Sequence, residues 1–459
     1  MRAQSHVRSV PSLGALGALL LAGCDWNAFN DLEKNAPVVS IDAADSIRVG
    51  FGHSLASDAR TGHPTVLVGG QPGSSPAAAY DLGTSQEPGG DPTEEGYCSG
   101  GRVTPCYLAD QPAPVSLINR SQKRDKCFAF AWGRNEGNDN GIVARCHDQT
   151  YITLKVPDAL RKKYDTAFNR DGEHQALYLA SNVADENTLV VGFPEQAAAI
   201  FYPGGTEKAH ALTLPAEAKA PKSFGAQVAA LSLDDTGEDR LLAVAAPDEE
   251  VGQVWLFRSK GTDSAVAVGC LGEGHSFGRA LGTGDVDNDG VADLVVADER
   301  LVTAFSGAKL AELPEAHEAV CSLAALPEKT ILASFGCGSA EAASGCKNSQ
   351  FGAALAVADL DGDGDGEIAV GAPGMDIYSV KGAGAVLVYD VEGDQPQKLS
   401  DVLFSSNPQT DDKLGVSVAT IAQNGRDVVA AGAPGRSQVD VFFCNEFVPK
   451  KLRTGRCAP

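Results

Sequence analysis

The stretch that decides the fold runs from Phe351 to Pro373 and reads FGAALAVADLDGDGDGEIAVGAP. An apolar, strand-like segment follows its opening Phe-Gly, and a second apolar segment leads into its closing Gly-Ala-Pro. Between these segments, five acidic residues occupy alternate positions: Asp359, Asp361, Asp363, Asp365 and Glu367. Two carboxylates about 4 Å apart repel by roughly 4 kcal/mol even at a surface-like dielectric. The stretch therefore predicts two strands joined by a loop that a cation neutralises.

The spacing of these acidic residues favours calcium. Ca²⁺ takes oxygen ligands, and a loop can offer side chains from positions 1, 3 and 5, a backbone carbonyl from position 7 and a carboxylate from position 9. In that register Asp365 supplies its carbonyl, and Gly364 permits the sharp turn. The predicted side-chain ligands are Asp359, Asp361, Asp363 and Glu367.

A second copy of the pattern lies between Phe277 and Asp298 and reads FGRALGTGDVDNDGVADLVVAD. Its predicted ligands are Asp285, Asp287, Asp289, the carbonyl of Val291, and Asp293. An EF-hand would need a glutamate at position 12 and flanking helices, but that position is Val296 here and Val370 in the first stretch. We predict two structural Ca²⁺ sites, each in a loop between antiparallel strands; an acidic hairpin without an ion is the alternative.

Charge narrows the classes of partner. The chain has 459 residues, a formal net charge of −23 and a pI near 4.7, which argues against nucleic acid and against an anionic membrane surface. Hydrophobic residues make up 43%, and 51 glycines are spread along the chain. This composition is typical of many short strands and tight turns rather than of disorder.

The first 23 residues are predicted to be a signal peptide. Arg2 and Arg8 begin it, and the apolar segment 13–21 is too short to span a bilayer. The run Leu21-Ala-Gly-Cys24 resembles the lipobox of bacterial lipoproteins, which implies cleavage before Cys24 and a lipid on its thiol. Residues 24–36 would be a linker from this anchor, and the protein would lie in the cell envelope, with the outer membrane or cell surface favoured. The inner membrane is the alternative, because Asp25 resembles an inner-membrane retention signal of some bacterial lipoproteins. An ordinary secretory signal with a chance cysteine is the alternative.

Eleven cysteines less Cys24 leave ten, an even number in an exported chain. No CxxC occurs, which disfavours zinc and redox sites. We predict five local disulfides between sequence neighbours: Cys98 with Cys106, Cys127 with Cys146, Cys270 with Cys321, Cys337 with Cys346, and Cys444 with Cys457.

The Phe-Gly frame recurs at Phe51, Phe224 and, as Leu-Gly, at Leu414, and each copy leads into an end similar to Gly-Ala-Pro. The ends at 371 and 432 are 61 residues apart, whereas those at 70 and 192 are 122 apart. A further, degraded repeat is therefore expected at about 113–160, which gives seven repeats. Units of this length bury their sheets only against neighbours, so the series predicts an all-β, seven-bladed β-propeller.

The Phe-Gly and Gly-Ala-Pro frame with its D-x-D-x-D-G-x-x-D loop resembles the FG-GAP repeat of integrin α-subunits and their bacterial relatives. The resemblance extends over residues 37–445, and it implies that each calcium loop joins the first two strands of a blade. The strand-like segment 37–42 is expected to complete the last blade; a flexible spacer is the alternative. Residues 446–459 would form a disulfide-tied tail.

The resemblance implies a binding, adhesion or scaffold role for an unknown protein or glycan, with no nucleic acid and with the membrane reached only through the lipid. Two insertions, 84–112 and 306–348, are the predicted binding loops, pinned by disulfides; protease resistance is their other explanation. The alternatives are a hydrolase or lyase, or a subunit of an envelope assembly. The G-x-S-x-G run around Ser276 matches a hydrolase motif, but Phe277-Gly278 begins a predicted strand instead of a helix, and no catalytic residue is assigned.

Overall fold

The structure is a computed structural model and is nearly all β. Besides strands it contains a short helix, α1 (Gly307–Leu310), and a 3-10 turn at Pro194–Gln196. It describes residues 38–43, 50–58, 65–69, 78–81, 106–107, 115–119, 126–132, 141–146, 151–154, 178–181, 189–203, 209–216, 218, 221–234, 236–247, 251–261, 264–272, 274–314, 321, 323, 326–337, 348–360, 364–391, 398–423 and 426–442.

The described strands form seven four-stranded antiparallel sheets, numbered here in chain order. Strand β1 (Val38–Asp42) precedes sheet 1 and pairs elsewhere. Sheet 1 contains β2 (Ser54–Asp58), β3 (Thr65–Gly69), β4 (Ala78–Asp81) and β5 (Cys106–Tyr107). Sheet 2 contains β6 (Val115–Asn119), β7 (Lys126–Trp132), β8 (Gly141–Cys146) and β9 (Tyr151–Leu154). Sheet 3 contains β10 (Tyr178–Ser181), β11 (Leu189–Phe193), β12 (Ala198–Tyr202) and β13 (His210–Ala211). Sheet 4 contains β14 (Gln227–Ser232), β15 (Asp239–Ala246), β16 (Gln253–Lys260) and β17 (Val266–Gly272).

The remaining sheets follow the same order along the chain. Sheet 5 contains β18 (Ala280–Gly284), β19 (Asp293–Ala297), β20 (Leu301–Phe305) and β21 (Ile331–Gly336). Sheet 6 contains β22 (Leu355–Ala358), β23 (Glu367–Ala372), β24 (Ala385–Asp390) and β25 (Lys398–Leu403). Sheet 7 contains β26 (Val418–Gln423), β27 (Arg426–Ala433), β28 (Gln438–Phe442) and, at its outer edge, β1.

The apolar core lies between neighbouring sheets. Continuous apolar runs such as Leu294-Val-Val-Ala297 in β19 are buried along their whole length, because neighbouring sheets cover both faces of the strand. Separate clusters join sheets 3 and 4, 4 and 5, 5 and 6, and 6 and 7. A further cluster packs Phe51 and Val68 of the first repeat against Ile421 and Val441 of sheet 7. The first and last sheets therefore bury apolar surface against each other.

A glycine turn opens five of the sheets. The glycine of each Phe-Gly or Leu-Gly pair (Gly52, Gly225, Gly278, Gly352 and Gly415) has a φ between +81° and +95°, a conformation that side chains disfavour. Four of these glycines donate their N–H to a carbonyl of the second strand, as Gly278 does to Ala297 at 2.9 Å and Gly352 to Gly371 at 3.0 Å. The Phe-Gly and Gly-Ala-Pro motifs are thus the two sides of one hydrogen-bonded corner.

A second glycine lets the next repeat approach this corner. A Cβ on Gly192 would lie 1.9 Å from the carbonyl oxygen of Gly225, one repeat later. A Cβ on Gly432 of sheet 7 would lie 1.8 Å from the carbonyl oxygen of Gly52 in the first repeat, which also accepts a hydrogen bond of 2.7 Å from the Ser417 hydroxyl. The last and first repeats therefore meet through the contact that joins consecutive repeats.

The first strands of the sheets contact one another in sequence: β2 with β6, then β10, β14, β18, β22 and β26, which contacts β2 again. Strand β1 pairs antiparallel with β28 over its whole length, from Val38 opposite Phe442 to Asp42 opposite Gln438. The Ser40 hydroxyl donates to Asp440 Oδ1 at 2.7 Å. This pairing confirms the prediction that the N-terminal strand completes the last sheet.

Strand alternation sorts the connections into two ends. Because each sheet runs antiparallel in chain order, the connection between its first and second strands leaves from the same end as that between its third and fourth. Both predicted calcium loops and the connections 82–105 and 306–330 belong to this end, which we call the acidic end. The connection 373–384, between β23 and β24, belongs to the opposite end.

The structure corrects the limits of both insertions. Residues 306–348 were expected to be a single insertion, but β21 lies within them as the fourth strand of sheet 5, paired with β20. Likewise, β5 lies within 84–112 and pairs with β4. The interpretation failed because assigning an outer strand depends on its non-local partner, which the local sequence does not specify. In the part of the chain that the structure describes, no helix has the length and apolar character needed to span a membrane.

Candidate metal centre

The loop between β18 and β19 brings three of its predicted ligands together. Carboxylate oxygens of Asp285, Asp287 and Asp289 all lie within 4.8 Å of one another. Asp285 accepts the N–H of Asp289 at 3.2 Å and that of Gly290 at 2.9 Å, and Asp289 accepts the N–H of Val291 at 2.8 Å. These bonds wrap the backbone around the carboxylates, and the turn requires a φ of +84° at Gly290.

The electrostatics of this group are unfavourable without a cation. Burial raises the pKa of the Asp287 carboxyl above its ordinary value, and the neighbouring charges of Asp289 and Asp285 raise that pKa further. A group of oxygen donors that repel one another fits a hard cation such as Ca²⁺, which binds carboxylates and backbone carbonyls.

Asp293 has a different position from the other predicted ligands. It is fully buried at the start of β19, where Oδ2 accepts the N–H of Val286 and Oδ1 accepts the N–H of Gly307, both at 2.8 Å. Burial raises the pKa of its carboxyl to about 7, although the two backbone hydrogen bonds oppose that change. Asp293 therefore ties the loop to the start of the connection after β20, a role that the spacing of acidic residues did not reveal.

The loop between β22 and β23 repeats this arrangement where it is described. Glu367 is buried at the start of β23, and its Oε2 accepts the N–H of Leu360 at 2.6 Å. In both loops, then, the carboxylate at position 9 accepts the backbone N–H of the residue at position 2. That residue, Val286 or Leu360, has a fully buried side chain. Asp359 and Asp365 are described as well, whereas Asp361 and Asp363 lie outside the described residues.

The two acidic loops touch each other across the boundary between sheets 5 and 6. A Cβ on Gly366 would lie 2.5 Å from the carbonyl oxygen of Asp285, and one on Gly364 would lie 3.1 Å from the side chain of Asn288. Gly364 and Gly366, in the loop between β22 and β23, thus leave space for the loop between β18 and β19. The two predicted sites are neighbours on the acidic end.

Sheet 4 lacks the buried carboxylate that the two acidic loops share, and it contains an ion pair with an arginine nearby. Asp293 and Glu367 each lie four residues before the residue whose carbonyl accepts the corner N–H. In sheet 4 that carbonyl belongs to Ala245, so the equivalent residue is Leu241, which is fully buried. The nearby Asp239 forms two hydrogen bonds with the Arg258 guanidinium, at 2.9 Å and 2.6 Å. Nothing in the sequence pointed to Arg258 as the partner of Asp239.

The conformation of Ser276 follows from the repeat and not from a nucleophile elbow. Its φ is +59°, and the residues just before the Phe-Gly or Leu-Gly pair in the next two repeats, Gln350 and Lys413, have φ values of +55° and +57°. A left-handed residue therefore precedes four of the five described corners, the fourth being Gly50 before Phe51. Ser276 is one of these residues, and a strand follows it.

The structure describes part of the cysteine set. Cys270 and Cys321 form a disulfide, with their Cα atoms 4.6 Å apart, and Cys337 is disulfide-bonded too. Cys127 and Cys146 lie directly opposite each other in the β7–β8 ladder. Antiparallel neighbours of this kind have Cα separations of about 4.5–5.5 Å, which a disulfide can bridge. The positions of Cys24, Cys98, Cys346, Cys444 and Cys457 lie outside the described residues.

Comparison with known proteins places one FG-GAP repeat in the chain, at residues 351–389, which includes the second acidic loop. No curated protein matches. The fold is similar to that of a structure of U3-55K (TM-score 0.50, 10% identity, 88% of this chain and 98% of that one). A crystal structure of the RRP9 WD40 repeats also matches (TM-score 0.48, 11% identity, 89% and 98%). These neighbours are WD40 β-propellers, and at such low identity the likeness to U3-55K concerns the fold alone.

Proposed function

We propose that this chain is a seven-bladed, calcium-binding β-propeller that binds a protein or glycan as an adhesion or scaffold module of the cell envelope. The blade number is supported by the seven sheets, whose first strands contact one another in a cycle that returns to β2. The contact of Gly432 with Gly52 supports closure of that cycle between the last and first blades.

The observation that carries the calcium proposal is the approach of Asp285, Asp287 and Asp289 to within 4.8 Å. These three residues, the Val291 carbonyl and Asp293 would hold the ion of the loop between β18 and β19. The second ion would take Asp359, Asp361, Asp363, the carbonyl of Asp365, and Glu367. A bound Ca²⁺ would supply positive charge that removes the repulsion between these carboxylates, so its role would be structural.

Thermal unfolding in calcium and in chelator tests this proposal. Binding to the folded state alone stabilises by about 2.7 kcal/mol at a hundredfold excess over Kd, and we expect each site to contribute on that order. Asp287→Ala should remove the share of one loop and Asp361→Ala that of the other. Asp234→Ala, in the corresponding loop of the fourth repeat, should leave the calcium-dependent part unchanged. An identical melting temperature in calcium and chelator would overturn the proposal.

The acidic end is the proposed binding surface. Its connections 82–105 and 306–330 are the long ones, and loops on a rigid scaffold are where propellers and other repeat folds carry binding residues. We expect same-length Gly-Ser replacement of 88–97 or 315–320, which keeps β5, β21 and Cys321, to reduce capture of the partner from the protein's own envelope. Tyr378→Ala is the control, because this side chain is 74% exposed and lies in the connection 373–384 at the opposite end. Turnover of a glycan or ester that is lost with one side chain would instead favour an enzyme.

The membrane is proposed to be reached through a lipid on Cys24 alone. Cys24→Ser should abolish metabolic labelling with a radioactive fatty acid and release the protein from the membrane fraction. Labelling that persists in the Cys24→Ser variant would contradict the proposed anchor.

A further inference from the structure

Two side-chain oxygens on β28 are buried without a hydrogen-bond donor. Asp440 is fully buried and Gln438 is 3% exposed. The Gln438 amide nitrogen donates to Asp440 Oδ1 at 2.7 Å, and the Ser40 hydroxyl donates to the same oxygen, also at 2.7 Å. Asp440 Oδ2 and Gln438 Oε1 receive no hydrogen bond from any side chain or backbone group that the structure describes. Native proteins rarely bury acceptors in this way, so the pair requires an explanation.

Both unpaired oxygens belong to side chains that point into the space between sheets 6 and 7. Alternate residues of a strand lie on one face, so Gln438 and Asp440 share their face with Phe442. Phe442 belongs to the apolar cluster that joins these two sheets, together with Leu403. We call the pairing of β1 with β28 the seam, because it joins the first and last described strands of the chain. The unpaired oxygens therefore lie inside the molecule, next to the seam.

The orientation of the Gln438 amide is fixed by Asp440. Turning the amide over would place its oxygen against the carboxylate, and two acceptors cannot form a hydrogen bond with each other. The amide nitrogen must therefore face Asp440 Oδ1, and Oε1 stays without a donor. Both unpaired oxygens can accept only a hydrogen-bond donor or a cation.

The charge of Asp440 is not paired within the part of the chain that the structure describes. Arg436 is the cationic residue nearest to it in the sequence, but that guanidinium forms its ion pair with Asp412 at 3.4 Å. The same nitrogen of Arg436 also donates to the carbonyl of Asn407 at 2.8 Å. Burying a carboxylate without an opposite charge is strongly unfavourable. A water molecule can donate to both oxygens but brings no charge, whereas a cation satisfies the oxygens and the charge together.

We propose that Asp440 Oδ2 and Gln438 Oε1 hold a monovalent metal cation, Na⁺ or K⁺, beside the seam. One positive charge matches the one unpaired carboxylate. Ca²⁺ fits less well, since it takes about six to eight oxygen ligands and its second charge would have no partner here. The site is separate from both acidic loops and does not depend on the proposed calcium sites.

Urea unfolding of the mature protein in different chloride salts tests this site. A sodium-free chelator is present throughout, so that the acidic loops stay free of calcium. NaCl, KCl and choline chloride are compared at equal ionic strength, because charge screening is then the same and choline is too large to enter. At a tenfold excess over Kd, Na⁺ or K⁺ should raise the folding equilibrium constant about elevenfold relative to choline. Equal stability in the three salts would overturn the proposal.

Asp440→Asn is the decisive variant. Its side-chain oxygen can still accept from Ser40 and Gln438, and its amide nitrogen takes the place of Oδ2, where it can donate to Gln438 Oε1. The variant should therefore be equally stable in all three salts. Asp376→Asn is the matched control, because this side chain is 39% exposed and pairs with Lys381, so the cation effect should persist. A cation effect of wild-type size in Asp440→Asn would overturn the proposal.

Anomalous diffraction locates the cation without any variant, which keeps the proposal testable if Asp440→Asn fails to fold. Crystals of the wild-type protein are soaked in thallium(I) nitrate, since Tl⁺ replaces K⁺ and scatters strongly. We expect an anomalous peak in contact with Asp440 Oδ2 and Gln438 Oε1. A cation effect on stability without a peak at these two oxygens would place the cation elsewhere and overturn the proposal.

Discussion

A Cβ on Gly371 would lie 2.1 Å from the carbonyl oxygen of Gly415, the glycine that opens the next repeat. The close neighbour is backbone and cannot rotate away, so Gly371→Ala must push sheets 6 and 7 apart. Overpacking of this kind costs about 1–3 kcal/mol, and we expect a loss of that size in the free energy of unfolding measured with urea. Gly269→Ala is the control, because its Cβ would meet side-chain ends instead of backbone, those of Leu313 at 3.2 Å and Leu256 at 3.9 Å. An equal loss in both variants would show that the contact between repeats is not the cause.

The buried carboxyl of Asp293 predicts a pH dependence of stability in the metal-free protein. Its pKa is about 7 in the folded state and near 4 in the unfolded chain, so the folded state binds the proton more tightly. The contribution is fully present below pH 4 and is lost as pH rises towards 7, with an upper bound of about 4 kcal/mol. In chelator, Asp293→Asn should therefore flatten the fall in stability between pH 5 and pH 7. Parallel curves for the variant and the wild type would contradict the prediction.

The pair formed by Arg258 and Asp239 should stabilise sheet 4 together with the connection after β20, since Arg258 also donates to the carbonyl of Ala311. Their side chains are 24% and 14% exposed, and Arg258→Met leaves the Asp239 carboxylate without its two guanidinium bonds. We expect a loss of about 2 kcal/mol, partly restored by adding Asp239→Leu. Lys381→Met is the control, since its ion pair with Asp376 is exposed and should contribute less than about 1 kcal/mol. A double variant no more stable than Arg258→Met would argue that the charge pair is not the source of the loss.

Non-reducing peptide mapping should recover two defined disulfides from the mature protein, Cys270 with Cys321 and Cys127 with Cys146. The first closes a loop with a sequence separation of 51, which is worth about 4 kcal/mol in the loop-entropy account. Cys270→Ser with Cys321→Ser should lose stability on that order. The second pair is tested by Cys127→Ser, which should leave one additional thiol free to alkylation; recovery of Cys127 joined to any other cysteine would contradict the pairing.

The sequence carried enough information to place the inner strands and the corners. Apolar runs after each Gly-Ala-Pro-like end, such as Val302–Phe305 and Val386–Tyr389, became the third strands because local composition and the repeat period agree there. Outer strands were harder to predict. Ile331–Gly336 reads as a strand by itself, but its place in sheet 5 depends on pairing with β20 across the connection 306–330.

The acidic residues illustrate the same limit at the candidate site. Spacing alone grouped Asp285, Asp287 and Asp289, because ligands two residues apart in a tight turn must lie close together. It also grouped Asp293 with them, whereas the bonds of Asp293 to Val286 and Gly307 depend on where the chain returns fourteen residues later. Contacts set by tertiary packing have no signature in the local pattern.

The pairing of Ser40 with Asp440 bridges 400 residues, and this has a consequence for how the molecule is made. The first described strand leaves the ribosome long before its partner exists, so sheet 7 cannot be completed until residues 438–442 have been synthesised. A chain that stops before Gln438 leaves β1 without its partner, and unpaired strand edges promote aggregation. Once β28 is present, Val38 at the start of β1 lies opposite Phe442 at the end of β28. A variant in which these two residues are linked, and new termini are opened in a connection between sheets, should therefore keep the described strand pairings.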